Sequence, residues 1–345
     1  MVVKGRRATQ ADVARLAGVS QTTVSMVLNG TGVAQRRVSA EVRERVLEAI
    51  AVTGYAANPS AQLLAGGRSS IIGVYTYEPV FPHSGANFYY PFLEGIEDEA
   101  ERSGVDLLMF TSMSGRSGKS LVSTGRVARL RVADGCVLLG RRSYPEDLAE
   151  LLRQDFPFAF VGRREAPDAQ VPYAAAAYGE ATRAVVDKLV ALGHERIVLI
   201  NEFTGHESIE DRSRGYREAM TAAGLQPVTY DAPEVGSGAL LDTLLAAGVT
   251  AALVTSDLAA PLRRAALARG LDVPRDLSIA RLGDPERPNG EDVDWSGFLI
   301  PRWEMGAHAL RFVLRQLAPD PVDASDLQIS IPCTLVPGAT VAPRP

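Results

Sequence analysis

The chain is poor in the residues that build disulfide frameworks and membrane spans. Its 345 residues include two cysteines, Cys136 and Cys333, each inside an apolar stretch, so we expect two buried thiols in a reducing compartment. No run of about 18 apolar residues occurs, which excludes a transmembrane helix and any membrane partner. The N-terminal segment is basic without a following apolar region, so we predict a cytoplasmic protein with no secretory signal.

Signatures of catalysis are missing as well. The sequence has no P-loop, no H-E-x-x-H, no G-x-S-x-G and no G-x-G-x-x-G after a strand. Neither cysteine has the spacing of a metal site, and the four histidines are scattered along the chain. We therefore expect a protein that is not an enzyme and that holds no metal and no cofactor.

Charge is distributed unevenly along the chain. Residues 1–68 hold nine basic and four acidic residues, whereas the rest of the chain holds 27 of the 36 basic and 37 of the 41 acidic residues. A basic head on an acidic body indicates a polyanionic partner for the head alone. The alternative is that a short segment differs in charge by chance.

The head begins with a well-marked short helix. Thr9 and Asp12 have the spacing of a capping box, and Gly18 is a typical helix stop. Val13, Leu16 and Ala17 fall at the spacing of one helix face, so we expect them to point inward.

A second helix, "QTTVSMVLNG", follows after a tight turn and a capping Ser20. Val24, Val27 and Leu28 form its apolar face, and small polar side chains cover the opposite face. Two short helices joined in this way predict a helix-turn-helix, whose second helix meets base edges in the major groove. A helical hairpin with a solvated face is the alternative. The predicted DNA contacts in this region are Thr9, Ser20, Gln21, Thr22, Thr23, Ser25, Met26 and Asn29.

A third helix is predicted from the capping Ser39 through "AEVRERVLEAIAVTG". Its inward residues by spacing are Val42, Val46, Leu47 and Ile50. Nearby arginines, Arg36, Arg37, Arg43 and Arg45, are candidates for phosphate contacts or ordinary surface charges.

The stretch "NPSAQLLAGGRS" has a helix start at Asn58-Pro59 and a helix stop at Gly66-Gly67. Only about two turns lie between them, and an isolated helix of this length is marginal in water. We therefore expect this segment to need a partner in order to fold.

The body, residues 70–345, alternates continuous apolar strands with helices. This pattern predicts parallel sheets with helices on both faces, an α/β fold. The alternation restarts after "GEATRAVVDKLVALGH", which indicates two doubly wound halves of about 130–150 residues each. Ligands of such folds bind at the carboxyl ends of the strands, here in the cleft between the halves.

The motifs of the first 70 residues resemble the LacI/GalR family of bacterial transcription regulators. The resemblance rests on the A-G-V-S turn, on V-S-x-V-L-N in the second helix and on G-Y-x-x-N-P-x-A-x-x-L. It implies a helix-turn-helix domain over 1–57, a hinge helix and linker over 58–69, and a two-lobed effector-binding and dimerisation domain over 70–345 with the fold of a periplasmic binding protein. It also implies a repressor that binds a pseudo-palindromic operator in double-stranded DNA as a homodimer.

In and just before the hinge, the resemblance implies DNA contacts from Tyr55, Asn58, Ala61 and Leu64. Ala61 and Leu64 match the family's wedge, and Leu64 would insert between base steps of the minor groove and bend the duplex. The alternative is a helical linker whose leucines, Leu63 and Leu64, pack on the body.

The body motifs "LVALGHERIVLI" and "DRSRGYREAM" match the same family and imply a small-molecule effector, by default a sugar. The implied contacts are Phe88, Tyr89, Arg212, Ser256, Asp257 and Asp284. Core packing of the two aromatic residues, and a surface ion pair of Arg212 with Asp211 or Glu210, are the alternatives.

Several positions depart from the family pattern. Gly283 and Ala177 stand where relatives carry acids, Ile300 stands where they carry Gln, and Met26 stands where they often carry Arg. A cleft short of carboxylates and amides suits a polyhydroxylated ligand less well. Trp295 and Trp303 lie close by in sequence and would make the cleft more aromatic.

Two rival functions are considered. A periplasmic binding protein would fit the body alone but would need no DNA-reading head, and an orphan regulator would need no ligand or would use a protein partner. The C-terminal segment "LVPGATVAPRP" lacks leucine heptads, so we expect a dimer rather than a tetramer assembled through the tail.

Overall fold

The protein divides into two compact units, Met1–Ser70 and Ile71–Pro345, which are described separately. No helix in the described part of the chain is long and apolar enough to cross a membrane. The computed structural model describes residues 8–29, 38–55, 69–78, 88–110, 120–141, 143–166, 169–201, 205–231, 237–284 and 293–344.

Three helices build the first unit: α1 (Gln10–Ala17), α2 (Gln21–Asn29) and α3 (Ala40–Thr53). The predicted capping box is confirmed, because the Thr9 side chain accepts from the Asp12 amide while the Asp12 carboxylate accepts from the Thr9 amide at 2.9 Å. Gly18, with φ of 67°, ends α1 in the left-handed conformation that glycine adopts without steric cost.

The core of the first unit is small and built around valines and alanines. Val13, Val24 and Val46 are fully buried, as their spacing predicts. The inward position predicted for two leucines is wrong, because Leu16 is 55% exposed and Leu47 is 49% exposed. The buried face of each helix is centred on smaller residues, which allow the three short helices to pack closely. The residues buried with the valines are Ala14, Ala17, Val27 and Ala49.

The described residues of the second unit form twelve strands in two six-stranded sheets. The strands are β1 (Ile71–Thr76), β2 (Asp106–Phe110), β3 (Gly135–Leu139), β4 (Phe158–Val161), β5 (Tyr173–Ala176), β6 (Ile197–Asn201), β7 (Val228–Asp231), β8 (Ala251–Thr255), β9 (Ser278–Leu282), β10 (Ser296–Leu299), β11 (Gln328–Ile331) and β12 (Thr334–Val336). The first sheet has the order β11-β5-β4-β3-β1-β2 and the second has β12-β10-β9-β8-β6-β7. All neighbours are parallel except β10 and β12, so the predicted doubly wound α/β class is confirmed.

The helices of this unit cover the two sheets. They are α4 (Tyr90–Ser103), α5 (Val127–Leu130), α6 (Pro145–Arg153), α7 (Tyr178–Ala191), α8 (Glu207–Ala222), α9 (Ser237–Ala246), α10 (Ser256–Ala268) and α11 (Arg302–Leu317), with a 3₁₀ turn at Ala324–Leu327. The segment 120–132 is mostly a turn around the short helix α5. The buried carboxylate of Asp147 accepts from the amides of Leu121 and Val122, at 2.8 and 2.9 Å, and holds this turn.

The two lobes are not consecutive in sequence. Helix α11 packs against α4 and the strands β3, β4 and β5, and β11 pairs with β5, so both late elements belong to the first lobe. The chain therefore crosses between the lobes three times: after β5, between β10 and α11, and between β11 and β12. The expectation of two successive halves is corrected by this return of the C-terminal elements.

One helix pair in each lobe meets backbone to backbone at glycines. A Cβ on Gly306 of α11 would collide with the carbonyl oxygen of Phe92, and a Cβ on Gly95 of α4 would collide with that of Trp303. In the other lobe, a Cβ on Gly215 of α8 would collide with the backbone of Gly179 in α7. Each contact leaves no room for even a methyl group.

We predict that Gly306→Ala lowers the free energy of unfolding by about 1–3 kcal/mol, because the added methyl forces α4 and α11 apart. The same substitution at Gly238, near the start of α9, meets only the end of the Arg269 side chain at 3.6 Å and is the matched control. Gly238→Ala should leave stability unchanged or raise it slightly, since alanine favours the helix. Urea unfolding of the full chain measures both, and equal effects would contradict the close contact.

Candidate functional site

The first turn of α2 presents its polar side chains to solvent. Gln21 and Thr22 are exposed, while Ser25 and Met26 are half-buried at the side of the helix. The Ser20 hydroxyl caps the helix, accepting from the Thr23 amide at 3.1 Å. The side chains of Gln21 and Thr22 therefore do not pack in the core of the first unit. The Ser20 and Thr23 hydroxyls are 2.9 Å apart and hydrogen-bonded to each other.

Two further residues predicted to contact DNA also stabilise the fold of the first unit. The Thr9 hydroxyl donates to the Asp12 carboxylate at 2.6 Å, and Tyr55 packs partly buried against the core of the first unit. The remaining predicted DNA contacts are outside the described part of the structure: the side chain of Asn29, and Asn58, Ala61 and Leu64.

A cleft of about 980 Å³, including the solvent at its mouth, lies between the two lobes of the second unit. Its walls come from the residues at the carboxyl ends of β3, β4 and β5 in one sheet and of β8 and β9 in the other. This is the location that the parallel topology predicts.

Arg212, on the first half of α8, is the most deeply placed charge of the cleft. The residue is 6% exposed, and its Nη1 donates to the Ser208 carbonyl at 3.0 Å. Its guanidinium lies 3.9 Å from the ring centre of Tyr178 and 5.9 Å from that of Phe298. Burial lowers the pKa of Arg212. The alternative of a surface ion pair is therefore wrong.

Two more arginines line the cleft directly after β4. Arg163 forms an ion pair with Asp211, with 3.0 Å between Nη2 of the arginine and Oδ1 of the aspartate. Burial alone would lower the pKa of Arg163, but the carboxylates of Asp211 and Glu165 raise that pKa overall. Arg164 lies 3.2 Å from Glu207 and donates to the carbonyl of Gly140 at 2.6 Å. Burial lowers the pKa of Arg164. Sequence reasoning missed both, although their position just beyond a buried strand was a usable signal.

Phe88 and Tyr89 lie at the mouth of the cleft and also touch the core. Their rings meet edge to face, with centres 5.3 Å apart, and both pack partly buried against the main hydrophobic cluster. The Tyr89 hydroxyl donates to the carboxylate of Glu78, which also accepts from the Arg141 amide at 3.2 Å. Both interpretations offered by the sequence, core packing and cleft lining, therefore describe these residues.

Asp257 and Asp284 are not among the described residues that line the cleft. Ser256 and Asp257 begin α10 just beyond Thr255, which does line it, and the side chain of Ser256 is outside the described part. Asp284 accepts from the Ile300 amide at 3.1 Å and lies 3.6 Å from Arg302. As effector contacts, Ser256, Asp257 and Asp284 stay predictions.

The aromatic surface of the cleft differs from the one expected. Trp295 is buried in the core of the second lobe, and Trp303 donates its indole N–H to Asp98 at 2.9 Å on the outside, so neither lines the cleft. Tyr178 does so instead, at the start of α7. His206 also lines the cleft, and burial lowers its pKa, which favours the neutral ring.

Three family models match the chain, one within the first unit and two within the second. Residues 9–58 match bacterial regulatory proteins of the lacI family. Residues 78–247 match the periplasmic binding proteins and sugar binding domain of the LacI family, and residues 186–341 match a periplasmic binding protein-like domain.

Relatives that match along nearly the whole chain are also transcription regulators. The catabolite control protein A of Priestia megaterium is 30% identical over 340 residues, which are 92% of this chain and 95% of the relative. The crystal structure of the lac repressor dimer bound to operator and the anti-inducer ONPF is 26% identical, with a TM-score of 0.69 over 98% of this chain and 100% of that one. A complex of the transcriptional regulator CelR with cellobiose is 25% identical, with a TM-score of 0.65 over 97% of this chain and 100% of that one.

These relatives are transcription regulators rather than enzymes, and they share the architecture of a helix-turn-helix followed by a two-lobed binding domain. The fold class and the family predicted from sequence motifs are both confirmed. Because the similarity extends over more than nine-tenths of the chain, the protein belongs to the LacI family of bacterial regulatory proteins and is a DNA-binding transcription regulator.

Proposed function

We propose that the protein represses transcription from the cytoplasm by binding a pseudo-palindromic operator as a homodimer, under the control of a small-molecule effector. The similarity to a lac repressor dimer bound to operator supports the dimer and the DNA target. Two-fold symmetry of a dimer requires a matching symmetry in the half-sites that it reads.

The observation that carries this proposal is the first turn of α2, which exposes polar side chains from a packed helix-turn-helix unit. Gln21 is proposed to pair with an adenine edge, and Thr22 to contact a base or a phosphate. Met26 is proposed to contact a thymine methyl. Weaker contacts to the sugar-phosphate backbone of the DNA are proposed for Thr9, Ser20, Thr23, Ser25, Asn29 and Tyr55.

The hinge proposal rests on the sequence alone. The segment 58–69 is proposed to fold as a helix only when two copies meet over the minor groove, with Leu64 as the wedge and with Asn58 and Ala61 in contact with DNA. An effector that separates the two copies would then release the operator.

The effector is proposed to bind in the cleft between the lobes of the second unit. Phe88, Tyr89 and Arg212 line that cleft and are the proposed contacts. The similarity to a CelR complex with cellobiose supports a sugar or a related metabolite. Because the cleft walls come from both lobes, a bound molecule would favour one relative position of the lobes over another.

Selection of bound sequences from random double-stranded DNA tests the function directly. We expect a palindromic consensus bound by the full chain, and no binding by a chain lacking residues 1–68. Binding that survives this truncation would exclude the proposed function, and so would the absence of any consensus.

We predict that Gln21→Ala weakens binding to the selected operator by about 1–3 kcal/mol, since one bidentate base contact is lost. Affinity for unrelated DNA should stay unchanged, because non-specific binding depends on phosphate contacts. Gel-shift titration on both DNAs at one salt concentration gives the comparison. An equal loss on both would mean that this residue does not read a base.

We predict that Met26→Arg changes the selected consensus at one position of each half-site toward guanine, because a guanidinium binds the guanine edge bidentately. Met26→Leu is the matched control and should retain the original consensus. If the arginine variant selects the same sequence as the native chain, residue 26 does not face the bases.

A further inference from the structure

The cleft is lined by an excess of positive charge. The described residues that line it include four arginines and a single aspartate, namely Arg141, Arg163, Arg164, Arg212 and Asp211. A neutral sugar offers hydroxyl groups but no charge to balance such a surface. The partners of each arginine therefore decide which charge is left for a ligand.

Two of these arginines already have carboxylate partners. Arg163 pairs with Asp211, and Arg164 lies 3.2 Å from Glu207. Asp211 is itself shared, because its Oδ1 also lies 2.8 Å from Nη2 of Arg214. This aspartate is therefore occupied by two other guanidinium groups and is not available as the counter-ion of the neighbouring Arg212.

Arg212 has no carboxylate within ion-pair distance among the residues that the structure describes. Its Nε is buried and without a hydrogen-bond partner. The other titratable groups that act on it, Tyr178 and Cys333, are held in their neutral forms, because burial raises the pKa of both and that of Cys333 to about 12. Within the described part of the chain, this buried guanidinium therefore has no carboxylate as a direct counter-ion.

The strand end that faces Arg212 has no acid at the nearest position. Nη2 of Arg212 lies 3.5 Å from the place that a Cβ on Gly283 would occupy, so a side chain there would reach the guanidinium. The following residue, Asp284, is held by the Ile300 amide and lies close to Arg302. The Ile300 side chain fills the space beside Gly283, and the Arg212 guanidinium lines the cleft, where a ligand group can reach it.

The surroundings make a charged ligand group favourable. The rings of Tyr178 and Phe298 lie along the guanidinium and keep water away from it. Ion pairing is stronger in such an environment than in water, and a guanidinium binds carboxylate or phosphate oxygens through parallel hydrogen bonds. The Ser208 carbonyl holds Nη1, which fixes the direction of the group.

We propose that the effector is an organic anion, whose carboxylate or phosphate group pairs with the Arg212 guanidinium. This inference rests on the proposed effector control, and it replaces a neutral sugar with a sugar acid or a sugar phosphate. Phe88 and Tyr89, at the mouth, would contact the uncharged remainder of the molecule.

The test measures thermal stability and binding heat of the full-length protein with sugars in matched sets. Each set contains a neutral sugar, its uronic or aldonic acid and its phosphate ester, for example glucose, glucuronate, gluconate and glucose 6-phosphate. Inorganic phosphate and acetate are included as bare anions. We expect a rise in melting temperature only with anionic members, and the carboxylate and phosphate arms identify which group is recognised.

Matched variants locate the effect at one guanidinium. Arg212→Met should raise the dissociation constant of the responding anion by roughly ten- to hundredfold, since charge-assisted hydrogen bonds are lost. Arg217→Met removes a positive charge five residues away on α8, from an exposed side chain that does not line the cleft, and should leave the constant near its native value. Arg212→Lys should retain part of the affinity.

Retained binding to the selected operator shows that each variant is folded. The inference is overturned if a neutral sugar stabilises the protein as much as its own acid and phosphate. Equal losses in Arg212→Met and Arg217→Met, or no response to any anion, would overturn it as well. All three results leave operator selection by the native chain unaffected, so the proposed function is judged separately.

Discussion

Three crossings of the chain between the two sheets constrain the whole second unit. Because β5 and β10 each end at a crossing, residues of the first two joining segments also line the cleft. Tyr178 follows the first crossing, Ile300 belongs to the second and Cys333 to the third. Arg212 interacts with Tyr178 and Cys333 and lies beside Gly283, which packs close to Ile300. A molecule bound at this arginine therefore touches the segments about which the lobes would move.

The fold was largely predictable because its signals are local. A capping box at Thr9 needs only two side chains and two amides of one turn, and continuous apolar strands such as Ala251–Thr255 are buried on both faces in any parallel sheet. Long-range packing was not predictable in the same way. The exposure of Leu16 and the return of α11 to the first lobe depend on which face meets which neighbour, and no spacing within one helix determines that.

The cleft shows the same division between local and long-range information. Its place at the carboxyl ends of the strands followed from topology, and Arg212 followed from a motif. Arg163 and Arg164 were missed because their importance depends on Asp211 and Glu207, which come from the other lobe. Asp284 illustrates the reverse, because a residue in nearly the expected position is held by a backbone amide instead of facing the cleft.

The unpaired charge of Arg212 also gives a physical source for control. A ligand can shift a two-state equilibrium only by the difference between its affinities for the two states. A bare guanidinium buried among Tyr178, Phe298 and the neutral thiol of Cys333 disfavours a closed, empty cleft, since closure removes water without supplying a counter-ion. An anion reverses that balance, because the dry environment that penalises the lone cation strengthens the ion pair. One side chain would thereby make closure of the cleft depend on the ligand.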